Sequence, residues 1–407
     1  MSTESESAIS RRKFVLGGTA AAAVAALRGT GAQPAGLPGM VDSVWEPVSE
    51  RRIRIGVVGG GFGASFHWHE DPNCTVHAVS DLIPQRREIL RQRYHCDKAY
   101  DSLEELVLDP EIEAVAVFTE ATNHARHVIL CMEHGKHVIS AVPACMTLEE
   151  AHAMKEVKER TGLTYMMAET SYYRPESMVA RRLYRDGAFG NLIYTEAEYY
   201  HPMLPDTHER ANLFFRNRER TWRYGLPPML YPTHSTAFLV GVSGERLTRV
   251  SCIGFRPSND EVFAENAYGN PFNSGFGMFL TDRGNAFRCN VAWGIWGHGE
   301  RAQWFGSDGA LFCPGWAGQP YGFRQPDHVE TTLPDFRHAL PPDMRYDSGH
   351  GGSHPFLTHE FIDALVEERP PAVDLYEALA YTVPGIVGHE SCFRDGEQLP
   401  IPSFDPA

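Results

Sequence analysis

No two cysteines in this chain form a C-x-x-C pair, and its eight cysteines (74, 96, 131, 145, 252, 289, 313 and 392) are scattered. That spacing excludes thiol-paired zinc and redox frameworks, and it predicts buried free thiols. H-E-x-x-H is also missing. His67-x-His69, His124-x-x-His127, and His354 with His359-Glu360 have no companion ligands at metal-site spacing, so no metal is expected. Positive charge is scarce: 37 Lys and Arg against 52 Asp and Glu leave a net −15, which argues against nucleic-acid binding. No internal repeat stands out. No basic amphipathic segment marks a membrane surface, and no apolar run reaches the roughly 20 residues that cross a bilayer, so no stable membrane anchor is expected.

What is present begins at the N-terminus. Ser10-Arg11-Arg12-Lys13-Phe14-Val15-Leu16 is a twin-arginine pattern, followed by an Ala-rich apolar stretch through Leu27 and a Gly/Pro-rich spacer. It reads as an export signal over residues 1–32, removed near Ala32, with a linker over 33–50. The alternative is a basic tail with a chance Arg pair. Twin-arginine export predicts passage of the folded protein through that machinery to a periplasmic or secreted location. A length of 407 residues then leaves room for two domains, expected at 51–170 and 171–407.

The most specific stretch is Arg54-Ile55-Gly56-Val57-Val58-Gly59-Gly60-Gly61-Phe62-Gly63-Ala64. An apolar strand enters a Gly-x-Gly-x-x-Ala turn, and Asp81 follows at the end of a second strand, Thr75–Ser80. Gly59 permits the tight turn, Gly61 lets backbone approach a pyrophosphate, and Ala64 lets the next helix sit close to the strand. That helix would point its free N–H groups at the phosphates. Asp81 would accept a ribose hydroxyl, which favours NAD; Arg86 and Arg87 lie near enough in sequence to keep NADP open.

Strands and helices alternate from here to Ala168. The helices are expected at Pro84–Tyr94, Ser102–Leu108, Ala125–His134 and from the Thr147-Leu148-Glu149-Glu150 capping box to Arg160. Such alternation predicts a Rossmann-type, doubly wound parallel sheet. Beyond Glu176–Arg185 the character changes. Leu192–Tyr199, Asn285–Trp293 and Arg301–Phe305 predict a second, α+β domain on an open, mostly antiparallel sheet, with late helices at Phe356–Glu367 and Leu375–Val387. The Pro/Gly-rich stretch Pro314–Pro342 is expected to be a surface excursion.

Gly59–Ala64, Asp81, Thr119 to His124, Gly135-Lys136-His137-Val138 and Phe361-Ile362-Asp363-Ala364-Leu365 together resemble the Gfo/Idh/MocA family. The resemblance covers nearly all of the mature chain. It implies NAD(P) in the first domain, on Gly59, Gly61, Phe62, Gly63, Asp81, Thr119, Asn123 and His124, and a sugar or polyol against the second sheet. It also implies a homo-oligomer. The chain departs from the family's dehydrogenases at two positions: Val142 stands where their lysine does, and Leu230 where an aspartate precedes the catalytic histidine, here His234. Leu230-Tyr231-Pro232-Thr233-His234, Val142-Pro143 and Gly349-His350-Gly351-Gly352 are similar to the NAD-dependent glycosidases of glycoside hydrolase family 109, although Ala141 replaces their glutamate.

From that resemblance, His234, Tyr231 and Tyr173 are the candidate catalytic residues, and Trp222 and His350 the candidate substrate contacts. His234 would be the base for a sugar hydroxyl. The alternatives are a structural histidine at 234 and packing roles for Tyr231 and Trp222. Only one of the adjacent Tyr172 and Tyr173 should face the site. Glu169 reads equally as catalytic or as a loop hydrogen-bonding residue. Outside the cytoplasm there is no cofactor pool, so an exported enzyme should retain its NAD. Three functions fit: a sugar oxidoreductase, a redox-neutral glycosidase using the same hydride step, and a non-catalytic sugar- or cofactor-binding protein.

Overall fold

The structure is a computed structural model that describes residues 43–406 apart from 217, 298, 316 and 317, so the twin-arginine segment and residues 33–42 lie outside the described residues. The first half forms a six-stranded parallel sheet of β1 (Ile53–Val58), β2 (Cys74–Ser80), β3 (Ala99–Tyr100), β4 (Ala114–Val117), β5 (His137–Ser140) and β6 (Tyr165–Met167). The order β3-β2-β1-β4-β5-β6 is that of a dinucleotide fold, with strand order reversing between β1 and β4. Every residue of β4 is buried, as a strand covered on both faces requires.

The expected helices are present, with one exception. The helix Leu148–Thr161 opens on Thr147, whose hydroxyl accepts the Glu150 N–H, and stops at Gly162 in the left-handed region (φ 67°). The exception follows β1. Instead of a full helix, residues Phe62–Ser65 and Trp68–Glu70 form two short 3₁₀ turns separated by extended Phe66. The cause is local. Phe66 stacks on Phe118 and on His354, with ring centroids 4.4 and 4.7 Å apart. Tyr94 reaches the carbonyls of Gly63 and Phe66, and His354 that of Ser65, so side chains take the acceptors that a continuing helix would use.

The second half is a nine-stranded sheet centred on Leu192–Tyr200, which pairs in parallel with Ala286–Ala292 and antiparallel with Gly299–Gly306. The remaining pairs are antiparallel. The stretch 314–342 is more than an excursion: Gly322–Gln325 and His328–Glu330 form a hairpin that extends the sheet edge. Tyr321, Phe323, Phe336 and Leu340 are buried there, anchoring a segment whose prolines and glycines conceal its apolar pattern.

The helix Thr233–Ser243 has every residue buried, and it packs against the sheet and the helix Leu375–Phe393. That last helix also packs on β6 and on Leu148–Thr161, joining the two halves. The other sheet face is open, exposing Ile253, Phe255, Phe276 and Met278. All eight cysteines are free and buried. Among the described residues, no helix is long and apolar enough to cross a membrane.

Candidate active site

One cavity of about 610 Å³ runs from the C-terminal ends of β1, β2 and β4 to the second sheet, a volume typical of ligand clefts. Its first end is built of backbone. Gly59 has φ 99°, and a Cβ there would lie 2.2 Å from the Phe118 carbonyl oxygen, so only glycine fits. A Cβ on Gly61 would meet nothing nearer than the Arg86 guanidinium at 3.8 Å, which leaves open space over the turn beside a positive charge. Asp81 accepts the Gly60 N–H at 2.7 Å and the Ile83 N–H at 2.8 Å, which holds its carboxylate at the cleft wall. Arg87 is spent elsewhere, donating to the Asp81 carbonyl and pairing with Asp101 at 2.7 Å. This open glycine turn, flanking cation and fixed carboxylate fit a dinucleotide.

The opposite end is built of side chains. His234 sits in the first turn of its helix, and its Nδ1 lies 2.8 Å from Oε1 of fully buried Glu169. Glu169 also accepts the Ser171 N–H at 2.8 Å, while its Oε2 has no hydrogen-bond partner. Behind them, Glu300 accepts from Arg174 Nε at 2.8 Å and from the Ser171 hydroxyl. Burial alone would lower the His234 pKa, but the Glu169 and Glu300 carboxylates outweigh it and raise it to about 9. Burial would raise Glu300; the charges of Arg174 and His234 instead hold it near 2. The carboxylate absent at Leu230 is thus supplied from another element, by Glu169.

Tyr199 and Tyr231 pack beside the imidazole, with ring centroids 4.8 and 5.4 Å away. The Tyr231 hydroxyl accepts from Arg223 at 3.3 Å, and the Arg223 guanidinium lies 4.3 Å from the Trp222 ring. His350 reaches the cleft from three successive left-handed residues, His350, Gly351 and Gly352, and its Nδ1 lies 2.9 Å from His354 Nε2. Burial first, then the charge on His234, depresses the His350 pKa to about 4, so this imidazole is neutral.

Of the residues singled out from the sequence, Gly59, Gly61, Phe62, Asp81, Thr119, Asn123, His124, Trp222, Tyr231, His234 and His350 all line the cleft. Gly63 packs beneath it against Phe118. Two placements differ from expectation. Tyr173 is not in the cleft: its ring stacks on Phe356 and its hydroxyl is buried without a partner. Tyr172 packs under Arg181, so neither tyrosine of the pair faces the site. His124 is tied to backbone, with Nδ1 2.7 Å from the Pro143 carbonyl and Nε2 3.2 Å from that of Thr119, which joins the Thr119 loop to the segment after β5. Glu300, Arg174, Tyr199, His201 and Arg223 escaped the sequence reading. Only Tyr199 and His201 carried a local signal, an i, i+2 pair at a strand end.

Among the described residues, one group could gather metal ligands: His77, Asp109 and Glu111. The Lys98 ammonium already sits 2.7 Å from Asp109 and 3.1 Å from His77, taking the place of a cation.

Residues 53–169 match the Gfo/Idh/MocA family, described as an oxidoreductase family with an NAD-binding Rossmann fold. A glycosyl hydrolase family 109 protein 1 of Bacteroides fragilis is 31% identical over 161 residues, covering 37% of this chain but only 35% of that protein. The family 109 protein of Solibacter usitatus is 25% identical over 86% of this chain and 88% of its own. Among solved structures, levoglucosan dehydrogenase with NADH and levoglucosan aligns with a TM-score of 0.73 at 16% identity, over 87% of this chain and 100% of its own. Apo scyllo-inositol dehydrogenase from Lactobacillus casei aligns at 0.64 with 14% identity, over 87% and 99%. Residues 53–169 are therefore similar to the NAD-binding Rossmann domain of the Gfo/Idh/MocA oxidoreductase family, and the chain is similar to the family 109 proteins.

Proposed function

We propose that this chain is an NAD-dependent oxidoreductase that acts on a secondary alcohol of a carbohydrate and retains its cofactor. The observation that carries this reading is the Glu169–His234 pair opening on the same cleft as Gly61 and Asp81. Gly59, Gly61 and Asp81 would hold NAD, and Asp81 disfavours a 2′-phosphate. Bound there, the nicotinamide supplies an acceptor, and a returning donor, for the hydride on the carbinol carbon.

The chain's own residues manage the proton. With Nδ1–H donating to Glu169, His234 has Nε2 to take the hydroxyl proton. Glu169 and Glu300 stabilise the resulting imidazolium, which is why its pKa reaches about 9. The base form therefore grows as pH rises. Among the described residues no lysine lines the cleft, and Val142 occupies the wall where one would have assisted.

A second reading, a redox-neutral glycosidase, is supported by the similarity to the family 109 proteins and by Tyr231. Such a reaction needs another proton-transfer group for the carbon beside the transient ketone. The Tyr231 hydroxyl, held by Arg223 next to His234, is available for that role. The twin-arginine segment supports export through that pathway to a periplasmic or secreted site, where a cofactor regenerated within each cycle suits the surroundings. The exposed Ile253, Phe255, Phe276 and Met278 support self-association through the open sheet.

The test is to incubate the NAD-loaded full chain with free sugars and aryl glycosides, recording nicotinamide absorbance, ketosugar and aglycone. Reduced cofactor with ketosugar supports the oxidoreductase. Aglycone released without net absorbance change supports the glycosidase, and neither product leaves a binding module.

A further inference from the structure

Several partly buried arginines of this protein face carboxylates, whereas fully buried Arg181 lies over the Tyr172 ring and donates to the Tyr172 carbonyl. Arg174 meets Glu300 at 2.8 Å, Arg210 meets Asp260 at 2.7 Å, Arg246 meets Glu377 at 2.8 Å, and Arg369 meets Glu360 at 2.8 Å. Arg223 shares the aromatic surroundings of Arg181, but unlike Arg181 it faces the cleft. It lines the cleft beside His234's neighbour Tyr231, and what surrounds its guanidinium is aromatic: the Trp222 ring at 4.3 Å, the Tyr231 ring at 5.1 Å and the Tyr231 hydroxyl at 3.3 Å. No carboxylate among the described residues pairs with it. A cation partly withdrawn from water and left without an anion is poised to take one from a ligand.

The charges around the cleft support the same conclusion. Its carboxylates are Asp81, Glu104 and Glu120. Asp81 is held by backbone N–H groups at the far end, Glu104 pairs with Arg126 at 2.9 Å, and Glu120 is exposed. The protonated His234 is balanced by Glu169 and Glu300. Arg223, with exposed Arg216, leaves the substrate end with positive charge that no other described residue of the cleft neutralises.

We infer that the carbohydrate this cleft takes carries a carboxylate, and that Arg223 is the side chain that binds it. The inference rests on the carbohydrate reading of the same cleft. A guanidinium held between ring faces keeps its flat fork of donors available, and that fork matches a carboxylate in two parallel hydrogen bonds.

The experiment is calorimetric titration of the NAD-loaded full chain with matched methyl hexosides bearing CH₂OH, carboxylate or phosphate monoester at the exocyclic carbon, in gluco, galacto and manno forms. A hexuronide should bind at least about tenfold tighter than its neutral partner. Arg223→Gln should abolish that difference and Arg223→Lys should keep part of it, with NAD affinity reporting that each variant is folded. The wild-type comparison stands whether or not a variant folds. Equal binding of charged and neutral partners, or a preference that survives in Arg223→Gln, overturns the inference and leaves the carbohydrate reading intact. A preference for the phosphate ester over the carboxylate overturns the assignment of the anion. Binding of no glycoside at all overturns the carbohydrate reading itself, and the inference with it.

Discussion

The two ends of the cleft are built by opposite means. At the cofactor end the essential features are absent side chains. Gly59 and Gly61 clear space for a phosphate within one turn, and Asp81 is braced by the same backbone. At the substrate end the essential features are side chains brought from distant segments: Glu169 after β6, Tyr199 on a central strand, Trp222 and Arg223 in a loop, Tyr231 and His234 at a helix start, and His350 in a left-handed turn. The first end is a property of local chain geometry. The second is a property of charge balance in a buried space, and it exists only when both sheets are in place.

Substitutions can break this comparison. The largest effect is expected from His234→Ala, which should cut kcat/KM by about 10²–10⁴-fold while leaving NAD affinity unchanged. A parallel loss of NAD binding would show that the two ends are not separable. Next comes Gly59→Ala. It forces a Cβ against the Phe118 carbonyl at positive φ, and should cost about 1–3 kcal/mol of stability together with cofactor binding. Thermal unfolding and NAD titration measure both.

The pH dependence sharpens the account of the substrate end. With His234 at about 9, kcat/KM should rise with pH up to that value, because the base form exists above the pKa. Glu169→Gln removes the charge nearest the ring, so the limb should move to lower pH by at least about one unit. Stability follows the same group. The folded pKa lies above the ordinary 6.5, so the pair stabilises the fold fully below about 6.5, and that contribution fades as pH rises through about 9. Wild type should lose thermal stability over this window, and Glu169→Gln should not. The smallest effect is expected from Asp81→Ala: a roughly tenfold weaker grip on NAD, corresponding to about 1.4 kcal/mol, seen by titration.

The comparison also explains what could be read from the sequence. The parallel sheet, its helices and the glycine turn were legible because strand–turn–helix alternation is contiguous. The helix after β1 was not, since Tyr94 and His354, from distant parts of the chain, take its carbonyls, and His354 stacks on Phe66. His234 and Tyr231 were visible as a motif, but Glu169 stayed ambiguous until folding set it 2.8 Å from the imidazole. Tyr173 illustrates the reverse case. Adjacency to Tyr172 suggested that one ring would face the cleft, whereas both turn into the packing around Arg181 and Phe356. Arg223 had no sequence signal, since its significance lies in the carboxylate it lacks.

The measurement that tests the account most directly is cofactor content. The full chain would be purified and denatured, and the released nucleotide identified and quantified by mass spectrometry and absorbance. The account predicts close to one NAD(H) per chain. Protein that emerges empty, and fails to bind added NAD, would contradict it.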